Sequence, residues 1–536
     1  KHFVWTTGSW IIKEALKDER CKNKLTKALK EGNIVPHAMP FTTHTELLDA
    51  DTLDFGLSVV DSLDELRGRK TVAAKMTDVP GHTKGLVPLL AKHGIKLLHI
   101  GVNGASALVD VPPCFLWRNG ESEVVVIYSG AYGGAFQSDL VDEILYFDHT
   151  LDNHGAPSPE KVTEKLDSIR SQYPGYEVTA GTLDEYAEVI WAKRDKLPVI
   201  ESEIGDTWIH GSAADPYKSA CLRELMALKR AWLADGTMEK GSDEYIGFSD
   251  ALLCVAEHTC GMDSKIYFSD YEHYLKKDFV KARKSDKVKI RHPFRDFPQW
   301  IYTIKGRFGG SRKQGYYSVI EKSWKEQRAY IDIALSKLSD NHKAEAEKAI
   351  SALIPAFPIK TESNCDSQKE LVCGKWKFRL NDKGGAGYLS YDEDVIIRNN
   401  EESAVDYFSF TNDDYNYWLT HYTRDLKETS KWSIGDFARP ALKYTDGKFP
   451  AGRFEYSLES FAYSKEENSI TVNLKCDKKL CDELGAPRLI QIIYTLDMNG
   501  LNITLSWYGK DANRITEAIY YHLFPNGNDV KYRKIG

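Results

Sequence analysis

At 536 residues the chain is too long for one simple core, and about two to four domains are expected. A net charge of −7 speaks against a nucleic-acid or anionic-membrane surface, and no run reaches the roughly 18 apolar residues that a spanning helix needs. The 12 Trp and 29 Tyr suit either core packing or carbohydrate stacking.

Helix and strand alternate over residues 1–210. Ser9 to Asp18 and Lys22 to Lys30 read as helices, Asn33 to Pro36 as a strand, and a His-containing segment, Pro36-His-Ala-Met-Pro-Phe-Thr-Thr-His-Thr-Glu46, follows. Leu53, Leu57 and Val60 mark one face of a further helix. Thr71 to Met76, Ile95 to Ile100, Glu123 to Tyr128 and Leu197 to Ile200 are strand-like. Ser158-Pro159 predicts an N-cap with Pro at the first helical position, and Thr182-Leu-Asp-Glu185 predicts a capping box.

From Tyr217 to Leu353 the periodicity is helical, and residues 211–355 read as a helical bundle. Leu353 to Asn364 is a Pro-bearing linker, beyond which the period becomes two. Trp376, Phe378 and Leu380 alternate with basic residues, and Ile470, Val472 and Leu474 with polar ones. Asn499-Gly500 is a hairpin signal. Residues 356–536 are therefore expected to form a β-sandwich. The nine cysteines make no Cys-x-x-Cys pair, which favours a reducing, cytoplasmic setting; the single sequon, at Asn502, lies in an expected strand.

The central stretch is Thr71 to Ile100. A buried strand ends near Asp78, Pro80-Gly81 breaks it, and His82 and Thr83 open a helix with Leu86, Leu89 and Leu90 on one face and Gly94 as its stop. The unit is βαβ, with a carboxylate and an imidazole at the strand's carboxyl end, where parallel α/β folds place their chemistry. The plainer alternative is an Asp-x-Pro-Gly turn with His82 as a helix cap.

Thr77-Asp-Val-Pro-Gly-His-Thr83 resembles the Asp-Pro-Phe-Gly-His-Ser segment of glycoside hydrolase family 38, the α-mannosidases, with Val79-Pro80 in place of Pro-Phe. The order of α/β region, helices and large β region also resembles that family. The resemblance implies an incomplete seven-stranded (β/α) barrel over residues 1–210, ahead of the bundle and the sandwich. It implies Asp78 as catalytic nucleophile and zinc ligand, and His258, in Ala256-Glu-His-Thr-Cys-Gly261, as a second ligand to Zn2+ or another divalent metal. Asp152, in Phe147-Asp-His-Thr-Leu-Asp-Asn-His154, takes the acid/base position. His82, Glu203, Asp206, Trp208 and His210 are expected to contact substrate. The family's His-x-Asp ligand pair has no counterpart before Asp78, so the metal site is incomplete without a segment expected upstream of Lys1.

The chemistry wants these residue types. A retaining glycosidase uses one ionised carboxylate as nucleophile and one protonated carboxyl as acid, about 5–5.5 Å apart. A metal beside the first would help to keep it ionised. The expected protein is a metal-dependent retaining α-glycosidase acting on oligo- or polysaccharides, with a homo-oligomer as its expected assembly and no nucleic-acid or membrane partner. Two rivals stand beside it. One is a metal-dependent carbohydrate deacetylase, which would want a His-x-x-x-His pair that the sequence lacks. The other is a non-catalytic carbohydrate-binding protein that has lost the metal site, favoured by the missing His-x-Asp.

Overall fold

The computed structural model of the chain describes residues 3–150, 155–208, 215–258, 270, 273–286, 288–289, 314–355, 358–359, 361, 369–399, 401–433, 437, 439 and 442–531. Strands β1 (Trp5–Gly8) and β2 (Ile34–His37) pair in parallel, and an Ala38 N–H to Ala73 carbonyl bond carries β2 to the edge of a second sheet. That sheet contains β3 (Ala73–Asp78), β4 (Leu97–Val102), β5 (Cys114–Asn119), β6 (Ser122–Ser129) and β9 (Val199–Ile200) in the order β3-β4-β6-β5-β9. Between β6 and β9 in sequence, a small hairpin, β7 (Gly134–Phe136) and β8 (Leu145–Phe147), pairs with neither sheet but packs on the five-stranded one through Phe136, Leu145 and Phe147. All neighbours in the five-stranded sheet are parallel except β5 and β6.

Both faces of this sheet are mostly apolar, because both are covered, with Lys75 and His99 as buried polar exceptions on one of them. Ala74, Met76, Leu98, Ile100 and Val126 pack on Leu57, Leu86, Val87 and Leu90 of the helices Ala50–Ser58 and Leu86–Lys92. Ala73, Leu97, Val125 and Ile127 pack on Leu183, Tyr186, Ala187 and Ile190 of helix Leu183–Trp191. The described strands thus form open, two-sided sheets, whereas a (β/α) barrel carries its helices on the outer face alone. Helix Leu183–Trp191 starts at the expected capping box, and helix Pro159–Gln172 at Ser158. Helix Leu86–Lys92 begins later than expected. His82 does not open it; it lies in an extended bridge to Ile204, whose carbonyl its N–H bonds at 2.5 Å.

Helices Pro216–Asp235, Asp243–Val255, Tyr317–Leu335 and Asp340–Ala352 share a core around Leu225, Phe248, Leu252 and Ala346. Leu48 and Leu53 of the α/β region belong to the same core, so the two regions are fused.

Beyond residue 370 the sheets are antiparallel. Two are four-stranded, residues 371–398 and 457–508, and a third joins 405–409 to 452–455 and 517–521. They close over one core containing Phe378, Tyr407, Val472, Ile490 and Ile492. The expected hairpin joins Leu489–Asp497 to Gly500–Tyr508, but Asp497 pairs with Gly500, so its turn residues are Met498-Asn499, and Gly500 opens the second strand at φ 130°. No helix among the described residues is long and apolar enough to cross a membrane.

Candidate functional site

Strand β3 ends in a tight turn. The Val79 N–H bonds the Thr77 carbonyl at 3.0 Å, and Asp78 between them sits at φ 80°, in the left-handed region that few non-glycine residues adopt. Such strain persists only where the surroundings hold it. Here the Asn103 N–H bonds the Asp78 carbonyl at 3.0 Å and continues the β3–β4 ladder. At Gly81 the chain passes so close to the 204–205 backbone that a Cβ would lie 2.2 Å from the Ile204 and Gly205 oxygens. Only glycine fits.

The Asp78 carboxylate collects three side-chain donors. Oδ1 accepts from Asn103 Nδ2 at 2.8 Å and from Tyr132 Oη at 2.5 Å, while Oδ2 lies 2.6 Å from His258 Nε2. Burial opposes ionisation, yet His258, Tyr132 and Asn103 together outweigh it and hold the carboxyl below the usual carboxylate range. Asp78 and His258 are 180 positions apart in sequence, and the backbone explains their meeting. Residues 42–44 and 256–258 run side by side: the His258 N–H bonds the Thr42 carbonyl, and both the His44 N–H and Thr43 Oγ1 bond the Ala256 carbonyl.

This pairing also brings in His44, whose ring centroid lies 5.7 Å from that of His258. His44 Nδ1 is 2.6 Å from Asp206 Oδ2, both side chains being buried. Asp206 in turn accepts from the Trp208 N–H, and Trp208 lies against His258 at 5.5 Å between centroids. Each imidazole therefore has one nitrogen committed to a carboxylate, the arrangement that orients metal-binding histidines. His258 Nδ1 is buried without a hydrogen-bond partner among the described residues.

The β region completes the wall. Tyr422, at the end of helix Asn412–Tyr422, accepts from Trp208 Nε1 at 2.5 Å. Arg424 binds the loops behind Asp78. Its Nε donates to the Ser106 carbonyl at 2.6 Å, and Nη2 donates to those of Asn103 and Gly130 at 3.0 and 2.8 Å. Its own N–H bonds the Ala105 carbonyl. One arginine of the distant β region thereby fixes the loops flanking Asn103 and Tyr132.

Of the residues expected at the site, Asp78, His258, Asp206 and Trp208 converge. Asp206 is spent on His44 and the Trp208 backbone, which leaves little for a sugar hydroxyl. His82 is fully buried on Thr45 Oγ1, and burial pulls its imidazole down to about 4, so direct substrate contact is not what this placement supports. Glu203 is exposed and accepts from the Lys84 N–H. Asp152 and His210 lie outside the described residues. The residues missed were His44, Asn103, Tyr132, Tyr422 and Arg424. Only His44 carried a signal, its place in a His-bearing segment after a strand.

Residues 212–504, more than half of the chain, match the family model described as a domain of unknown function, DUF5054. The chain belongs to that family. No curated protein matches it. The fold of this DUF5054 chain is similar to that of an α-mannosidase from Enterococcus faecalis V583, with a TM-score of 0.55 at 9% identity over 99% of this chain and 72% of that one. A second Enterococcus faecalis protein, described as belonging to glycosyl hydrolase family 38, aligns over 96% of this chain and 69% of its own at 8% identity, with a TM-score of 0.49. Among the described residues of the DUF5054 chain, no group of three or more His, Cys, Asp or Glu side chains is placed to hold a metal ion.

Proposed function

We propose that this DUF5054 chain is a retaining α-glycosidase of the α-mannosidase type, with Asp78 as its nucleophile. The observation that carries the reading is the Asp78 carboxylate itself, held ionised at the end of a parallel strand by three donors from separate parts of the chain. The likeness in fold over 99% of this chain supports it.

Two donors sit on Oδ1 and one on Oδ2, so Oδ2 is the oxygen that can attack. In the first step Oδ2 bonds the anomeric carbon, the bond to the leaving oxygen breaks, and that oxygen takes a proton from an acid, the role proposed for Asp152. Asn103 and Tyr132 stay on Oδ1, which becomes the carbonyl oxygen of the glycosyl ester. In the second step water gives a proton back to the acid residue and displaces Asp78.

Zinc or another divalent metal would draw on Asp78 and His258, with His44 as the nearest further imidazole, and would polarise substrate oxygens. The donor types suit zinc, but the described set falls short of the about four ligands such a site takes. His258 Nε2 and Asp78 Oδ2 also lie in direct hydrogen-bond contact. These residues by themselves do not fit the ion, and no step is assigned to it.

The test is trapping with an activated 2-deoxy-2-fluoro α-glycosyl substrate, followed by digestion and mass spectrometry. An adduct on the Asp78 peptide supports the proposal; turnover with the adduct elsewhere reassigns the nucleophile. A second reading, a non-catalytic carbohydrate-binding protein, is favoured by one observation: both Asp78 oxygens are already occupied. Saturable sugar binding with no hydrolysis would establish that reading instead.

A further inference from the structure

A cavity of about 1120 Å³ adjoins β1, β2 and β3. By strand alternation Lys75 lies on the face of β3 opposite to that of Met76 and Asp78, and with His37 it forms part of the cavity wall. Lys75 is 4% exposed. Its Nζ lies 3.0 Å from His99 Nδ1, donates to the Tyr132 carbonyl at 2.8 Å, and sits 4.4 Å from the centre of the Phe147 ring. None of these partners is negative, and no carboxylate pairs with Lys75 among the described residues. His37 Nδ1, in the same wall, is buried without a partner among them.

A buried ammonium without a counter-charge is costly, and burial alone pulls the Lys75 amine down to about 7. The neighbouring imidazoles are also held neutral: burial takes His37 down to about 3 and His99 well below its usual value, and Lys75 pushes both the same way. Of the carboxyls that line the cavity, Asp142, Glu143, Asp148, Glu177, Glu185 and Glu257, none forms an ion pair with Lys75, and Asp148 is paired with Lys165 at 3.1 Å. Among the described residues, the Lys75 end of the cavity therefore lacks one negative charge, and Trp5, Trp10 and Tyr146 also line the cavity.

We propose that this cavity binds a sugar acid, its carboxylate pairing with Lys75 and its pyranose ring lying on the aromatic wall. The carboxylate follows from Lys75; the sugar rests on the glycosidase reading. Binding re-protonates Lys75, so at a pH above the amine's own value the complex takes up a proton.

The test is titration calorimetry of the full chain at about pH 8 with glucuronate, glucose and benzoate, in phosphate and in Tris, whose ionisation heats differ. Glucuronate is expected to bind about tenfold or more tightly than glucose, with uptake of about one proton, and Lys75→Met to abolish the preference. Equal binding of glucuronate and glucose, binding without proton uptake, or a preference that survives Lys75→Met overturns the proposal. Benzoate bound in place of glucuronate overturns the sugar class. Should Lys75→Met fail to fold, proton uptake by the unaltered protein decides. Trapping at Asp78 is a separate readout, so the two readings fail separately.

Discussion

Strand β3 carries two buried ionisable groups, Lys75 and Asp78, and their surroundings treat them in opposite ways. Asp78 loses water but gains His258, Tyr132 and Asn103, and its charge is favoured. Lys75 loses water and gains an imidazole, a carbonyl and a ring face, and its charge is not. Lys75 is the more deeply buried of the two, and only Asp78 has a chargeable partner, His258, whose attraction favours its ion. The acid end is prepared to hold charge before any ligand arrives, whereas the amine end waits for a partner to supply it.

The largest expected effect breaks the acid end. Asp78→Asn removes the nucleophile while keeping its shape, and hydrolysis of an activated aryl α-glycoside should fall by about four orders of magnitude. Retention of full turnover would remove Asp78 from the chemistry. Asp152→Asn should slow a plain disaccharide more than the activated substrate, because a good leaving group needs less protonation.

Next comes the amine end, read as stability against pH. The folded value of Lys75 lies below its unfolded one, so its cost is absent above about pH 10.5, grows as pH falls, and is complete below about 7. Lys75→Met should therefore gain about 5 kcal/mol relative to the unaltered protein between pH 11 and pH 6, on top of a pH-independent loss of its two hydrogen bonds. Urea unfolding at both ends of that range measures the swing. A flat difference would mean that Lys75 is not buried in solution.

The clamp from the β region gives a smaller effect. Arg424→Ala leaves three loop carbonyls without their donor and should cost about 2–3 kcal/mol. If the clamp positions Asn103, kcat should fall more than KM rises. An unchanged kcat would make Arg424 a purely structural residue.

The smallest is Tyr132→Phe, which removes one of the two donors to Oδ1 and should cost about 1–2 kcal/mol near neutrality. The folded value of Asp78 is depressed, so its stabilisation is fully present above the unfolded value of about 4 and is lost as pH falls through the lower folded value. The Tyr132→Phe difference should shrink over that acid window in denaturant titrations.

Local signals in the sequence decided much of the architecture. The Thr182 capping box, the Ser158-Pro159 start and the hairpin near Asn499-Gly500 stand where short-range chemistry puts them, since each is satisfied within a few residues. The change from helical to two-residue periodicity likewise marked the antiparallel region. Strand β5 escaped notice, because its pairing with β6 across Asn119-Gly120-Glu121-Ser122 lies in a stretch with no clear alternation.

At the site, the turn motif pointed to Asp78 because strand, breaker and carboxylate are contiguous. Nothing local could place His258 Nε2 on its Oδ2; that needed residues 42–44 and 256–258 to run side by side. Asn103, Tyr132 and Arg424 were illegible for the same reason: a donor's role depends on which acceptor the fold sets within about 3 Å of it. Covering the parallel sheet with helices on both faces was likewise a tertiary decision. A continuous apolar strand reads the same whether helices cover one side or both, and only the packing of Leu183–Trp191 opposite Leu86–Lys92 distinguishes them. Lys75 shows the division most sharply, because in sequence it is one basic residue within a strand, and only the fold buries it without a carboxylate partner among the described residues.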